Sequence, residues 1–120
     1  MTIERVERSG RLCAVVHSAE KVITDAQSAL ELLMDARELA ETKNLVVPKS
    51  LISEDFFILS TGVAGEVLQK IINYGGRIAV YGDFSHYTSK PLKDFIYESN
   101  KGRDVCFAAT EAEAIAAMTR

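Results

Sequence analysis

The densest run of reactive side chains is GDFSHYTSK, Gly82 to Lys90, which gathers Asp83, Ser85, His86, Tyr87, Thr88, Ser89 and Lys90. Asp83, Ser85, Thr88 and Ser89 are the residue types that close turns and cap helices, so local structure alone can employ them. His86, Tyr87 and Lys90 are larger than turn chemistry requires. Together they form a candidate set for holding a small anion or for contacting a partner. The pair Tyr87 and Lys90 lies three positions apart, not the four of the helical Tyr-x-x-x-Lys arrangement that serves some hydride-transfer enzymes.

A second candidate is the polar STG, Ser60-Thr61-Gly62, set inside the apolar FFILSTGVAGEVLQKIINYGG. Hydroxyls followed by glycine at a helix start can cap the helix, cradle an anion or accept a phosphate. A cap contributes about 1 kcal/mol. A phosphate on Ser60 would bring roughly -1.5 to -2 charges to the positive end of a helix, where free amides and the macrodipole favour it. Ser60 is therefore a candidate phosphorylation site. Just upstream, Glu54 and Asp55 precede Phe56 and Phe57. The aromatics are expected to close a core while the acids face solvent or a ligand. Adjacent carboxylates do acid-base work only when one is desolvated enough to shift its pKa, and sequence adjacency supplies no such difference. No residue is assigned a catalytic role.

The elements that position these groups follow from periodicity. TIERVE and RLCAVVHS are β-prone and are joined by RSGR, where Gly10 suits the positive φ of a tight hairpin. TDAQSALELLMDARELAETKN places Ile23, Ala26, Leu30, Leu33 and Ala40 on one helical side, with Thr24 and Gln27 as a capping box. NLVVPK is a short strand ended by Pro48. A helix with Val63, Val67 and Ile71 stacked beside Ala64, Leu68 and Ile72 follows, with Ser60 or Thr61 as its expected cap. RIAVYG is the next strand. Then comes a helix capped by Ser89 with Pro91 in its first turn, and DVCFAA and TEAEAIAAM close the chain.

The order is ββαβαβαβα. It predicts one α/β domain over residues 1–120, with a mostly parallel sheet, an N-terminal hairpin and helices on the sheet faces. In such sheets ligands meet the carboxyl ends of the strands. His17 and Ser18, the segment KSLISEDFF and the segment GDFSHYTSK are thus expected on one rim. Arg77, Arg103 and Asp104 belong on the opposite one.

Composition narrows the function classes. The net charge of -3 and pI near 5.4 disfavour general nucleic-acid binding. No apolar run is long enough for membrane insertion. Cys13 and Cys106 sit in apolar strand-like runs without metal-ligand spacing, so buried free thiols in a reducing cytoplasm are expected and no metal site is assigned. Neither a Gly-x-G-x-x-G loop, a Walker loop nor a nucleophile elbow occurs, so no cofactor is assigned.

The pattern of an apolar strand, then FILSTGVAGEVL and GGRIAVYG, resembles the sulfate transporter and anti-sigma factor antagonist (STAS) domain. That resemblance implies the STAS-like fold. It sets Ser60 on the serine phosphorylated in anti-sigma antagonists, with Leu59 standing where those domains carry aspartate. The segments ITDAQSAL, SEDFFILSTGVAGEVLQK and GDFSHYTSKPLKDFIYESNKG resemble a bacterial family, domain of unknown function 4180. The expected role is a small cytoplasmic, regulatory, protein-binding module that docks a partner or anion at Ser60, Thr61 and Gly62 and the neighbouring loops. The alternative is an enzyme or small-ligand-binding protein built on His86, Tyr87 and Lys90. A self-associating homo-oligomer is the third expectation.

Overall fold

The computed structural model describes residues 1–120. Strands β1 (Thr2–Arg8) and β2 (Arg11–His17) form the expected hairpin. Its two-residue turn places Ser9 at φ 54° and Gly10 at φ 76°, the paired left-handed conformation that matches strand twist. Helix α1 (Ala26–Ala40), β3 (Asn44–Pro48), α2 (Val63–Asn73), β4 (Arg77–Tyr81), α3 (Lys90–Asn100), β5 (Val105–Ala108) and α4 (Glu111–Thr119) follow. Between β3 and α2 the chain runs through short 3-10 turns at Lys49–Leu51, Glu54–Phe57 and Leu59–Thr61.

The five-stranded sheet has the order β1-β2-β3-β4-β5. It is mixed rather than mostly parallel as the element order suggested. β1 and β2 are antiparallel over their whole length, from Thr2 opposite His17 to Arg8 opposite Arg11, because a two-residue turn leaves no room for a crossover. From β2 onward neighbours are parallel: Val15 pairs with Val46, Ala79 with Cys106, and β3 with β4 from Asn44 opposite Arg77 to Pro48 opposite Tyr81.

This order decides which face each helix covers. Right-handed crossovers stepping always in one direction lay every crossover helix on the same side. Accordingly Leu33 of α1, Val67 and Ile71 of α2 and Leu92 of α3 share one core with Leu45, Val47, Ile78 and Val80. The alternate residues Cys13, Val15, Val46 and Ala79 face the other way and are covered by Ala114 and Met118 of α4. Strands buried on both faces read as continuous apolar runs, which is why LVV and IAV carry no polar alternation.

Two local expectations shift. The capping box of α1 is formed by Asp25 and Ser28, not Thr24 and Gln27: the Ser28 amide donates to Asp25 Oδ1 at 2.7 Å and the Asp25 amide to Ser28 Oγ at 3.1 Å. Asp25 is itself extended, at φ -158° and ψ -178°, so it serves as the cap and the helix does not begin a residue earlier. The helix consequently buries Ala29, Leu32, Leu33, Ala36 and Ala40, leaving Ala26 and Leu30 half-buried.

The strand ends separate as predicted. Arg77 donates through Nε and an Nη to the Arg103 carbonyl at 3.0 and 2.6 Å on the amino-terminal rim. The outer edge of β5 is closed by a side chain: the Asn100 amide donates to the Phe107 carbonyl at 3.1 Å and accepts from the Phe107 amide at 2.7 Å, in place of a further strand. No helix is long and apolar enough to cross a membrane.

Candidate functional site

The carboxyl ends of β3 and β4 stop side by side at Pro48 and Tyr81, and the next residue on the β3 side is Lys49. The chain then turns through the 3-10 segments and brings Glu54 back, so that Lys49 Nζ lies 3.4 Å from Glu54 Oε1. From the loop after β4, the Tyr87 hydroxyl donates to the same carboxylate at 3.2 and 3.1 Å. Lys49 Nζ also stands 4.9 Å from the centre of the Tyr87 ring and 5.5 Å from that of Phe57, close enough for cation-π attraction. A Cβ on Gly82 would come within 2.9 Å of Lys49 Cβ, so glycine permits the two loops to approach this closely.

An aromatic chain anchors the arrangement. Phe57 stacks on Tyr87 at 5.4 Å and packs on Phe84 at 6.0 Å, and Phe84 meets Phe107 of β5 edge-on at 5.6 Å. Phe56 is fully buried beside Phe57, as the sequence predicts for EDFF, while Glu54 and Asp55 are exposed. His86 lies against Tyr87 with ring centres 4.2 Å apart.

Two open clefts flank His86. One, of about 360 Å³, lies over the strand ends between Lys49, Ser50, Gly82 and Asp83. The other, of about 380 Å³, separates Phe57, Ile58, Leu59 and Ser60 from Tyr87, Ser89 and Pro91. The STG segment borders this second cleft, and it is not the helix cap the sequence suggests. Gly62, at φ 80°, is the N-cap of α2, with no side-chain capping bond. Thr61 instead fastens the preceding turns: its hydroxyl lies 2.7 Å from the Asp55 carbonyl and 2.8 Å from that of Ile58, and accepts from the Val63 amide at 3.3 Å. The left-handed glycine swings the chain into the helix, which leaves Ser60 exposed and outside the capping geometry.

A family model for the domain of unknown function DUF4180 matches residues 8–118. The chain belongs to that family. The matched region runs from the hairpin turn into α4 and includes every residue of the rim. No curated protein and no solved structure matches the chain.

Electrostatics of this DUF4180 rim follow from the contacts. Partial burial pushes the Lys49 ammonium down, but Tyr87 and Glu54 facing it outweigh that effect and hold its pKa above the usual lysine value. Tyr87 is raised, first by burial, with Lys49 opposing and Glu54 reinforcing. Asp83 is lowered because the Ser85 hydroxyl and amide both donate to Oδ1, at 2.6 and 2.8 Å. Asp83 and Ser85 thus form the turn expected of them. Ser89 caps α3 as predicted, accepting from the Leu92 amide at 3.3 Å.

The remaining candidates part company. Lys90 donates to Asp94 at 2.6 Å, one turn along α3, whereas Tyr87 is committed to Glu54, so His86, Tyr87 and Lys90 do not converge on one point. Lys49 is the group that sequence reasoning passed over. Its signal was positional: it is the first residue beyond a strand that ends on the ligand-facing rim. His17, at the end of β2, pairs with Glu4 across the hairpin at 3.0 Å.

Proposed function

We propose that this DUF4180 domain is a small STAS-like regulatory module of the cytoplasm that binds a protein partner in the cleft beside Ser60. The single observation carrying this is Ile58, half exposed on the wall of that cleft. It stands with Leu59 and Pro91 as an apolar strip over the buried Phe57, bordered by the hydroxyls of Ser60 and Ser89. An apolar strip with a polar border is the composition of a docking surface, in which apolar contact supplies affinity and the rim supplies orientation. Thr61 carries the structural work of STG, which leaves the Ser60 hydroxyl available to a partner or to modification. The separation of Lys90 from Tyr87 favours docking over the enzymatic alternative.

The test begins with affinity capture from the native cell, followed by calorimetric titration of each captured protein with the purified domain. Ile58→Asp, folded by circular dichroism, is expected to abolish measurable binding, since it sets a charge where apolar contact is needed. Ser60→Asp should weaken binding, and Ser60→Ala should weaken it less. Native affinity of Ile58→Asp for every captured partner would overturn the proposal.

A further inference from the structure

The two edges of the sheet are finished differently. β5 is four residues long and its outer backbone is closed by Asn100. β1 is seven residues long, pairs with β2 without a bulge, and contains no proline. Proteins that protect an edge from pairing shorten it, bulge it, break it with proline or place charges on it, and of these β1 carries only charges. TIERVER alternates their signs, with Glu4 and Arg5, then Glu7 and Arg8, placed on either side of Val6.

Backbone geometry selects how such an edge could pair. A two-residue hairpin turn closes on a hydrogen-bonded pair, here Arg8 and Arg11, and bonded pairs then alternate along the ladder. Thr2, Glu4, Val6 and Arg8 therefore bond to β2, and the amides and carbonyls of Ile3, Arg5 and Glu7 point outward. One contact marks this directly: the Arg8 side chain curls back to donate to the Glu7 carbonyl at 2.9 Å, a group that β2 does not reach.

We propose that β1 pairs antiparallel with β1 of a second copy of this chain, about a two-fold axis at Val6, joining the two sheets into one. Two-fold pairing must set outward-pointing residues opposite each other, which permits only registers centred on a β1 residue. Centring on Arg5 sets Arg5 against itself, and centring on Glu7 sets Glu7 against itself; like charges directly opposite are unfavourable. Centring on Val6 sets Arg5 opposite Glu7 and Glu4 opposite Arg8 of the second copy, each pair made twice by symmetry, with the valines meeting on the axis. All four charges of the strand are matched in that register alone. Three exposed internal contacts yield to the new ones: Arg5 with Glu41 at 3.4 Å, Glu4 with His17 at 3.0 Å, and the Arg8 side chain on the Glu7 carbonyl, which the Arg5 amide of the second copy takes over.

The test is a charge swap on the full chain, read by sedimentation equilibrium. The native protein is expected to be a dimer. Arg5→Glu and Glu7→Arg, each shown to be folded by circular dichroism, convert two attractions per dimer into repulsions and should weaken association by about tenfold or more. The double variant Arg5→Glu with Glu7→Arg restores opposite charges across the axis and should return association to near the native level. A purely structural role for these residues predicts no such rescue. A monomeric native protein, single variants that associate as the native does, or a double variant as weak as the singles would each overturn the proposal.

Discussion

The Tyr87 hydroxyl donates to both oxygens of the Glu54 carboxylate, at 3.2 and 3.1 Å, and so ties the loop after β4 to the turn after β3. Lys49 lies against both partners, within 3.4 Å of the carboxylate and 4.9 Å of the ring centre. Tyr87→Phe removes the hydroxyl and keeps the ring under the ammonium. It should lower unfolding free energy in urea by no more than about 1 kcal/mol, because Glu54 is largely exposed. Glu54→Ala should cost about as much, and combining the two should cost less than their sum, since each already breaks the same bond.

Thr61 and Ser60 should respond in opposite ways. Thr61→Ala leaves the Asp55 and Ile58 carbonyls and the Val63 amide without their shared partner, and should destabilise the fold by about 1 kcal/mol. Ser60→Ala, outside that network, should leave the thermal midpoint unchanged. Equal loss from both would show that Ser60 has a structural role after all.

Burial, and then the Glu111 carboxylate 3.0 Å away, push the Tyr81 phenol from its ordinary value of 10.0 up to about 12. The folded state thus holds this proton more tightly than the unfolded state does. The stability it contributes is complete below about pH 10 and is lost as pH rises through the folded value. Ultraviolet titration of the chain's four tyrosines should show one ionising after the others, and Tyr81→Phe should remove that last step. It should also flatten the alkaline fall in stability measured by urea unfolding.

Cys13 is fully buried and burial raises its pKa, so it should resist thiol reagents at neutral pH until the chain unfolds. Cys106, on the same face under α4, should behave alike. Replacing Cys13 by Ala should cost about 1 kcal/mol through lost packing and leave partner binding intact. Rapid labelling of both thiols in the folded protein would contradict the covered face.

What the sequence determined by itself were the features carried by near neighbours along the chain. Ser9-Gly10 specifies a hairpin, the apolar runs LVV and IAV specify strands covered on both sides, and Ser89 before Pro91 specifies a helix start. Each depends on φ and ψ preferences or on periodicity within a few residues. The tertiary structure decided the rest. Ile23, just ahead of α1, is bridged to Ile52, a partner far along the chain. Gly62 took the cap of α2 because the turns stapled by Thr61 set the angle at which the chain enters the helix. Lys49, Glu54 and Tyr87 meet only because β3 and β4 are adjacent and parallel. The gathering of α1, α2 and α3 on one face follows from strand order, which no window of sequence contains. Local signals set what each segment becomes, whereas the free energy that chooses its neighbours comes from burying surfaces that are remote in sequence and complementary only once folded.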